Sequence, residues 1–414
     1  MKENRGKKVP AGPSVQPIIF EQTTPWISSG AFFCPGTHIL FWRFPMMKQG
    51  KVRHSSGAFT QFFRFFAPFW GKVLLAGVLF AGSISLAFAG GSAEGAGSGK
   101  SGQSIVVFVP GVTSGSPIYE MLVAGVQKAV DEKAGTSLKV VEGGFNQAEW
   151  ESKITSLAAS GAYQLIISSN PAMPAICEAV AAKFPKQKFL LFDGQLAGNP
   201  QVYTLRYNQR EQAYLAGHLA ALVSQAEGAP KKLGLIAGQE YPAMNDIILP
   251  GFLQGARAVD KGFSVDFRVV GNWYDASKGS ELAASMIREG SKVILPIAGG
   301  ANQGVVQAAS DSGAKVVWFD VNGYGIKPGV VVGSAILKQD KAAYEKTKLY
   351  LEGKLPFGKA ELVGVADGYV DFVDDDPVYI QTVSEPIRKK QAEMVARFRT
   401  GVLSLREDGT ELRN

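Results

Sequence analysis

Two carboxylates mark where chemistry could sit in this chain. Asp193 closes the apolar run FLLFD, and Asp320 closes VVWFD 127 residues later. A carboxylate at the end of a buried strand is costly unless something pairs with it. Lone carboxylates facing a cleft suit sugar hydroxyls or an amine. Other polar and aromatic residues follow apolar runs in the same way. Ser116 and Tyr119 come after the first run and Asn170 after the third; in the second half come Tyr241, Gly299, Gly300 and Asn322. Lys338 ends GSAILK, from where its ammonium could reach the same cleft. Singly, such residues are ordinary turn formers. What points to a site is that they end equivalent runs in both halves.

The rest of the composition narrows the function. No nucleophile–base pair and no G-x-S-x-G elbow is visible, so no enzyme is expected. Cys34 and Cys177 make no disulfide framework and no metal site, and His218 is the one histidine of the body. No cofactor is expected. The net charge of +7 sits in the first 89 residues, which hold 10 basic and 2 acidic side chains. The remainder is near neutral, which excludes an electrostatic case for nucleic acid.

The elements that must position these residues repeat. Short β-rich apolar runs alternate with helical spacing: Ser104–Val109, helix Ile118–Glu132, Leu138–Val141, helix Gln147–Ser160, Tyr163–Ser168, helix Pro174–Phe184, Phe189–Asp193 and Val202–Leu205. After the alanine-rich helix Glu211–Gln225 the order starts again at Leu233–Ala237 and runs to Val316–Asp320, with a short strand at Val330–Val332. Ala124-Gly125 and Gln254-Gly255 occupy matching places in the two halves. Alternation of this length predicts parallel sheets with right-handed crossovers. The fold class is therefore α/β, two Rossmann-like lobes joined by a hinge, with loops gathered at the carboxyl ends of both sheets, where such sheets bind ligands.

The boundaries follow. Residues 1–46 are an unstructured or misassigned extension ahead of a more ordinary start at Met46 or Met47. Residues 47–89 read as a signal peptide, with the apolar run Val73–Phe88 and a small-x-small site at Ala87-Phe88-Ala89. Gly90–Gln103 is a flexible tether. Its Gly99-Lys100-Ser101 is not a phosphate loop, because Glu94 stands where the first glycine should be. Lobe 1 is 104–207 plus about 339–355. Lobe 2 is 208–338 plus about 360–380, where Gly364–Tyr379 reads as further short strands. Residues 385–414 form a tail with a surface helix. Hinge strands are expected near Tyr207, Val321 and Lys338.

Several stretches resemble the basic membrane protein family, the substrate-binding proteins of ABC importers that include purine nucleoside receptors. Lys231–Val259, KKLGLIAGQEYPAMNDIILPGFLQGARAV, resembles its G-x-[IV]-G-G-x-x-x-P and G-F-x-x-G segment. QAYLAGHLAA from Gln212 resembles its E-x-G-[SY]-[FL]-L-A-G-x-x-A-A helix. DASKGSELAASMIREG from Asp275, Ile297–Gly300, Trp318–Asn322 and Gly333–Lys338 resemble D-P-x-K-G, A-A-G-G, G-V-D-S-D and T-S-x-x-K. The likeness covers about Ser104 to Leu355. It implies a type I periplasmic-binding-protein fold with three crossovers. It also implies that Asp193, Asp320 and Lys338 hold a ribose, that Gly299 or Gly300 lines the site, and that aromatic residues sandwich a base; Tyr119 and Tyr241 are the nearest, with Trp273 third.

Two departures from the family stand out. The first loop reads Gly115-Ser116-Pro117-Ile118-Tyr119-Glu120, without the Asp and Asn of G-D-x-[SG]-[FY]-N. Leu86-Ala87-Phe88-Ala89 leads to Gly90, so there is no lipobox cysteine. The expectation is an exported, periplasmic or cell-surface receptor for a small polar solute, nucleoside-like, that partners ABC permease subunits in the membrane. The alternatives are a sensing module acting on a separate membrane partner, or a receptor for another solute.

Overall fold

A computed structural model describes residues 102–412. The chain divides at residue 90 into two units, and every described residue belongs to the second. The extension, the signal segment and most of the tether lie outside the described residues.

The body opens β1 (Ser104–Val109), α1 (Pro117–Asp131), β2 (Ser137–Glu142), α2 (Trp150–Ala159), β3 (Leu165–Ser169), α3 (Met173–Lys183), β4 (Lys188–Phe192) and β5 (Val202–Tyr207). The chain then crosses into α4 (Gln209–Ala226), followed by β6 (Lys232–Ala237), α5 (Leu249–Val259), β7 (Ser264–Val269), α6 (Ala276–Arg288), β8 (Val293–Ile297), α7 (Asn302–Asp311), β9 (Lys315–Asp320) and β10 (Val331–Leu337). Next come α8 (Gln339–Leu351), β11 (Ala360–Val363), β12 (Val370–Phe372), α9 (Pro377–Thr382), α10 (Glu385–Arg399) and the hairpin β13 (Ser404–Leu405) with β14 (Glu411–Leu412).

Two six-stranded sheets result, β11-β5-β4-β3-β1-β2 and β12-β10-β9-β8-β6-β7. Their orders match strand for strand. All pairings in the first sheet are parallel, and in the second β12 alone runs antiparallel, against β10. The alternation along β1 shows why a buried strand carries no polar face. Ile105, Val107 and Val109 point to one apolar layer, while Val106 and Phe108 point to the other, with Trp150, Ile154 and Phe189.

Glycines set the helix packing alike in both lobes. A Cβ on Gly125 of α1 would lie 2.2 Å from Asp340 O at the start of α8. A Cβ on Gly255 of α5 would lie 2.0 Å from Tyr214 O of α4, and one on Gly217 1.9 Å from Phe252 O. In each lobe the first helix therefore rests, backbone on backbone, against the helix that has just crossed from the other lobe.

The crossovers differ in part from expectation. The chain passes between sheets at Asn208, at Lys338 and along 364–369. Val321 is no hinge, because β9 and β10 both belong to the second sheet. Ala360–Val363, expected in lobe 2, pairs with β5 of the first sheet. Tyr379 lies on helix α9, not on a strand. The short strand expected at Val330–Val332 is the seven-residue β10, whose length carries it up to the hinge.

The charged tail helix α10 lies on the surface but also docks on α4. It buries Gln391, Val395 and Phe398. Phe398 packs edge-on to Tyr214 at 5.3 Å, and Gln391 Oε1 meets His218 Nδ1 at 2.7 Å. Burial lowers the pKa of His218, consistent with a neutral core imidazole.

Candidate functional site

Asp193 and Asp320 end equivalent strands, β4 and β9. They are the non-glycine positions with positive φ among the described residues, at 55° and 72°. A side chain accepts that backbone only when its surroundings hold it there. The two turns set the carboxyls on opposite lobes, near enough for the charge of Asp320 to act on Asp193. Burial pushes Asp193 up to about 7; the charge of Asp320 adds to the rise and Arg206 opposes it. Burial pushes Asp320 up to about 6, against a hydrogen bond from Gln212. Both side chains keep some surface open to solvent, so crowding by protein and not a sealed cavity raises them.

Aromatic rings gather around this pair. The Tyr119 hydroxyl donates to Pro110 O at 3.1 Å and hydrogen-bonds the Asn170 side chain. Burial pushes Tyr119 up to about 12, with Asp193 contributing. Asn170 is anchored by its Oδ1, which accepts from Ala172 N at 2.9 Å. Tyr241 is raised by burial and by both Asp320 and Asp193, which places its hydroxyl near the two carboxyls. Its ring centroid lies 6.1 Å from that of Trp273.

The loops that carry these rings repeat between lobes. Gly144 N donates to Gly111 O at 2.9 Å, and Gly271 N donates to Gly238 O at 2.9 Å. Tyr119 and Phe145 both flank Gly111, where a Cβ would lie 3.2 and 3.7 Å from their rings. Trp273 covers Gly238, where a Cβ would lie 2.6 Å from the indole. Lobe 1 thus presents Tyr119 and Phe145 about Gly111, and lobe 2 presents Trp273 over Gly238 with Tyr241 beside the indole. Phe145 is 78% exposed, Trp273 40% and its neighbour Tyr274 79%. Gly299 and Gly300 pack against the backbone of Trp273, with Gly300 N donating to Trp273 O at 2.8 Å.

The structure brings Tyr119, Asn170, Asp193, Tyr241 and Asp320 together, with Gly299 and Gly300 beneath Trp273. Ser116 precedes α1 on the same loop, half-buried and without a capping bond. Two expected residues are turned elsewhere. Asn322 donates to Asp376 Oδ2 at 2.9 Å and accepts from Tyr324 N, so it braces the start of α9. Lys338 lies at the second crossover with its ammonium on Asp371 Oδ2 at 2.8 Å, and Arg399 holds the other oxygen of that carboxylate. It adds nothing to the charge balance of Asp193 or Asp320.

Phe145, Tyr274, Arg206 and Gln212 are the residues that sequence reasoning missed. Phe145 precedes Trp273 by 128 residues, close to the offset of the two aspartates; applying that offset to Trp273 would have found it. Another open depression, about 520 Å³, runs along β11 away from the cleft. Its polar lining is paired internally, with Lys346 and Lys359 both on Glu361.

Comparisons agree with this architecture. The profile of the PnrA-like substrate-binding proteins of ABC transporters, the Bmp family, matches residues 102–402. A nucleoside-binding protein of an ABC transporter, BmpA of Lactococcus lactis, is 27% identical over 256 residues, 56% of this chain and 69% of that one. Basic membrane protein D of Borreliella burgdorferi is 29% identical over 166 residues, 39% of this chain and 47% of its own length. The chain thus spans about two thirds of the first relative and about half of the second. In fold, an ABC transporter solute-binding protein from Aeropyrum pernix superposes with a TM-score of 0.64 at 20% identity, over 74% of this chain and 93% of that one. Matched sheets, three crossovers and a family profile spanning the whole two-lobed body lead to one assignment: the chain belongs to the Bmp family of PnrA-like ABC transporter substrate-binding proteins.

Proposed function

We propose that the cleft binds a nucleoside-like solute and that the protein delivers it, outside the cytoplasm, to the permease subunits of an ABC importer. The observation that carries this reading is the convergence of Asp193 and Asp320 from opposite lobes between two aromatic pairs. Ribose hydroxyls would donate to the carboxylates, and a planar base would stack on Tyr119, Phe145, Tyr241 or Trp273. Asn170, Gly299, Gly300 and Ser116 would line the same space. Lys338 would join the ribose only by leaving Asp371, a change that lobe closure about its crossover could supply.

A second reading, a solute other than a nucleoside, is favoured by one feature. The first loop offers Ser116 and Glu120 where an acid and an amide would read a base edge. A thermal-shift screen with inosine, guanosine, adenosine, free bases, sugars and small acids separates the two. The nucleoside reading expects a raised Tm with nucleosides. It fails if all three leave the Tm unchanged while another class raises it.

A further inference from the structure

Gln212 lies in the first turns of α4, directly after the first crossover, and its side chain is fully buried. Its Nε2 donates to Asp320 Oδ1 at 3.1 Å and to Ala335 O at 3.0 Å. Its Oε1 has no partner. The backbone carbonyl of Ala335 can only accept, so the NH₂ end of the amide must face it and Asp320. One amide thereby joins the helix entered after the first crossover, the strand that leads into the second crossover, and the carboxyl at the end of β9. Asp193 has the same left-handed backbone in the other lobe, yet among the described residues no donor bonds its carboxyl.

We propose that Gln212 is a positioning residue of this cleft: its amide pins the Asp320 carboxyl to the hinge, so that Asp320 meets the ligand as a fixed acceptor while Asp193 stays able to reorient. An amide N–H favours the ionised form of the carboxylate it bonds. The groups that act electrostatically on the pair are Tyr241, linked to both carboxyls, and Tyr119, Tyr207 and Arg206, linked to Asp193. None of them donates a hydrogen bond to Asp320, so removing Gln212 leaves that carboxyl without a protein donor among the described residues. An unpartnered Oε1 beside two satisfied N–H groups is what a side chain retained for its donors would show.

The inference rests on the reading of Asp320 as a ligand residue, and its test needs no ligand. In wild-type protein labelled with ¹³C-aspartate and ¹⁵N-glutamine, with D193N and D320N for assignment, pH is titrated from 3 to 9. The Gln212 side-chain amide is expected to shift with the midpoint of Asp320, and Asp320 is expected to ionise below Asp193. In Q212L, or Q212M where leucine disturbs folding, the Asp320 midpoint rises by about one pH unit, a tenfold change in its protonation equilibrium, and Asp193 moves less. A Gln212 amide that ignores pH over the range in which Asp320 titrates overturns the inference, as does an Asp320 midpoint unchanged in both variants. Inosine as probe then gives a separate readout. Wild-type protein indifferent to inosine would count against the nucleoside reading alone, whereas binding weakened about tenfold in Q212L at pH 8 supports both.

Discussion

The two faces of the cleft share a frame and differ in their fastenings. Asp193 and Asp320 end equivalent strands, adopt the same rare backbone and each interact with a tyrosine of their own lobe, Tyr119 and Tyr241. Asp320 is held by a hydrogen bond from Gln212, whereas Asp193 accepts none among the described residues and feels the opposing charges of Asp320 and Arg206. Arg206 is itself engaged by Glu407 of the C-terminal hairpin. A duplicated architecture thus fixes where the carboxyls stand, and the side chains packed behind them decide how firmly each is held.

The largest expected effect tests the shared frame. Gly255→Ala puts a methyl 2.0 Å from a backbone oxygen, and Gly125→Ala one at 2.2 Å, so each must push two helices apart. Each is expected to cost about 3 kcal/mol in urea unfolding. A large loss in one lobe beside none in the other would break the equivalence.

Next comes the charge on the cleft. Both carboxyls hold their proton more tightly folded than unfolded, so the folded chain binds more protons between about pH 4 and pH 7. Stability from this source is present below that window and is lost as pH rises through it. Asp193→Asn removes the penalty. It is expected to raise stability on the order of 2 kcal/mol at pH 8, roughly 4 °C in Tm, with little change at pH 4. Scanning calorimetry at the two pH values checks it, and an equal shift at both would show that the ionised pair is not the cause.

A smaller effect separates the aromatic pairs. Gly238→Ala crowds the indole of Trp273 at 2.6 Å, but that ring is partly exposed and can swing outward. A cost of about 1 kcal/mol and a shifted tryptophan emission are expected. Gly111→Ala meets Tyr119 at 3.2 Å with φ at 154°, so both ring and backbone resist there. Unfolding curves should rank it no milder than Gly238→Ala.

The repeat was legible because each buried strand is an apolar run ended by a turn residue, and FLLFD and VVWFD show their carboxylates openly. What stayed hidden depends on partners distant in sequence. Asn322 and Lys338 looked available because nothing local marks Asp376 or Asp371 as their acceptors. Ala360–Val363 is four residues long, and no pattern within it says which sheet it joins. The C-terminal hairpin has two-residue strands, yet Ser404 and Leu405 bond the buried Glu211, which also accepts from Val365 N on the third crossover. Gln212 was read only as part of a helix motif; its role shows only where Asp320 and Ala335 meet it.

Isothermal titration of inosine into wild-type protein and Asp320→Ala at pH 7.5 tests most directly whether the paired carboxyls hold a nucleoside. Saturable binding at one site per chain is predicted, weakened about 100-fold by the substitution while the fold is retained. Equal affinity for the variant, or no binding of any nucleoside by the wild type, would contradict it.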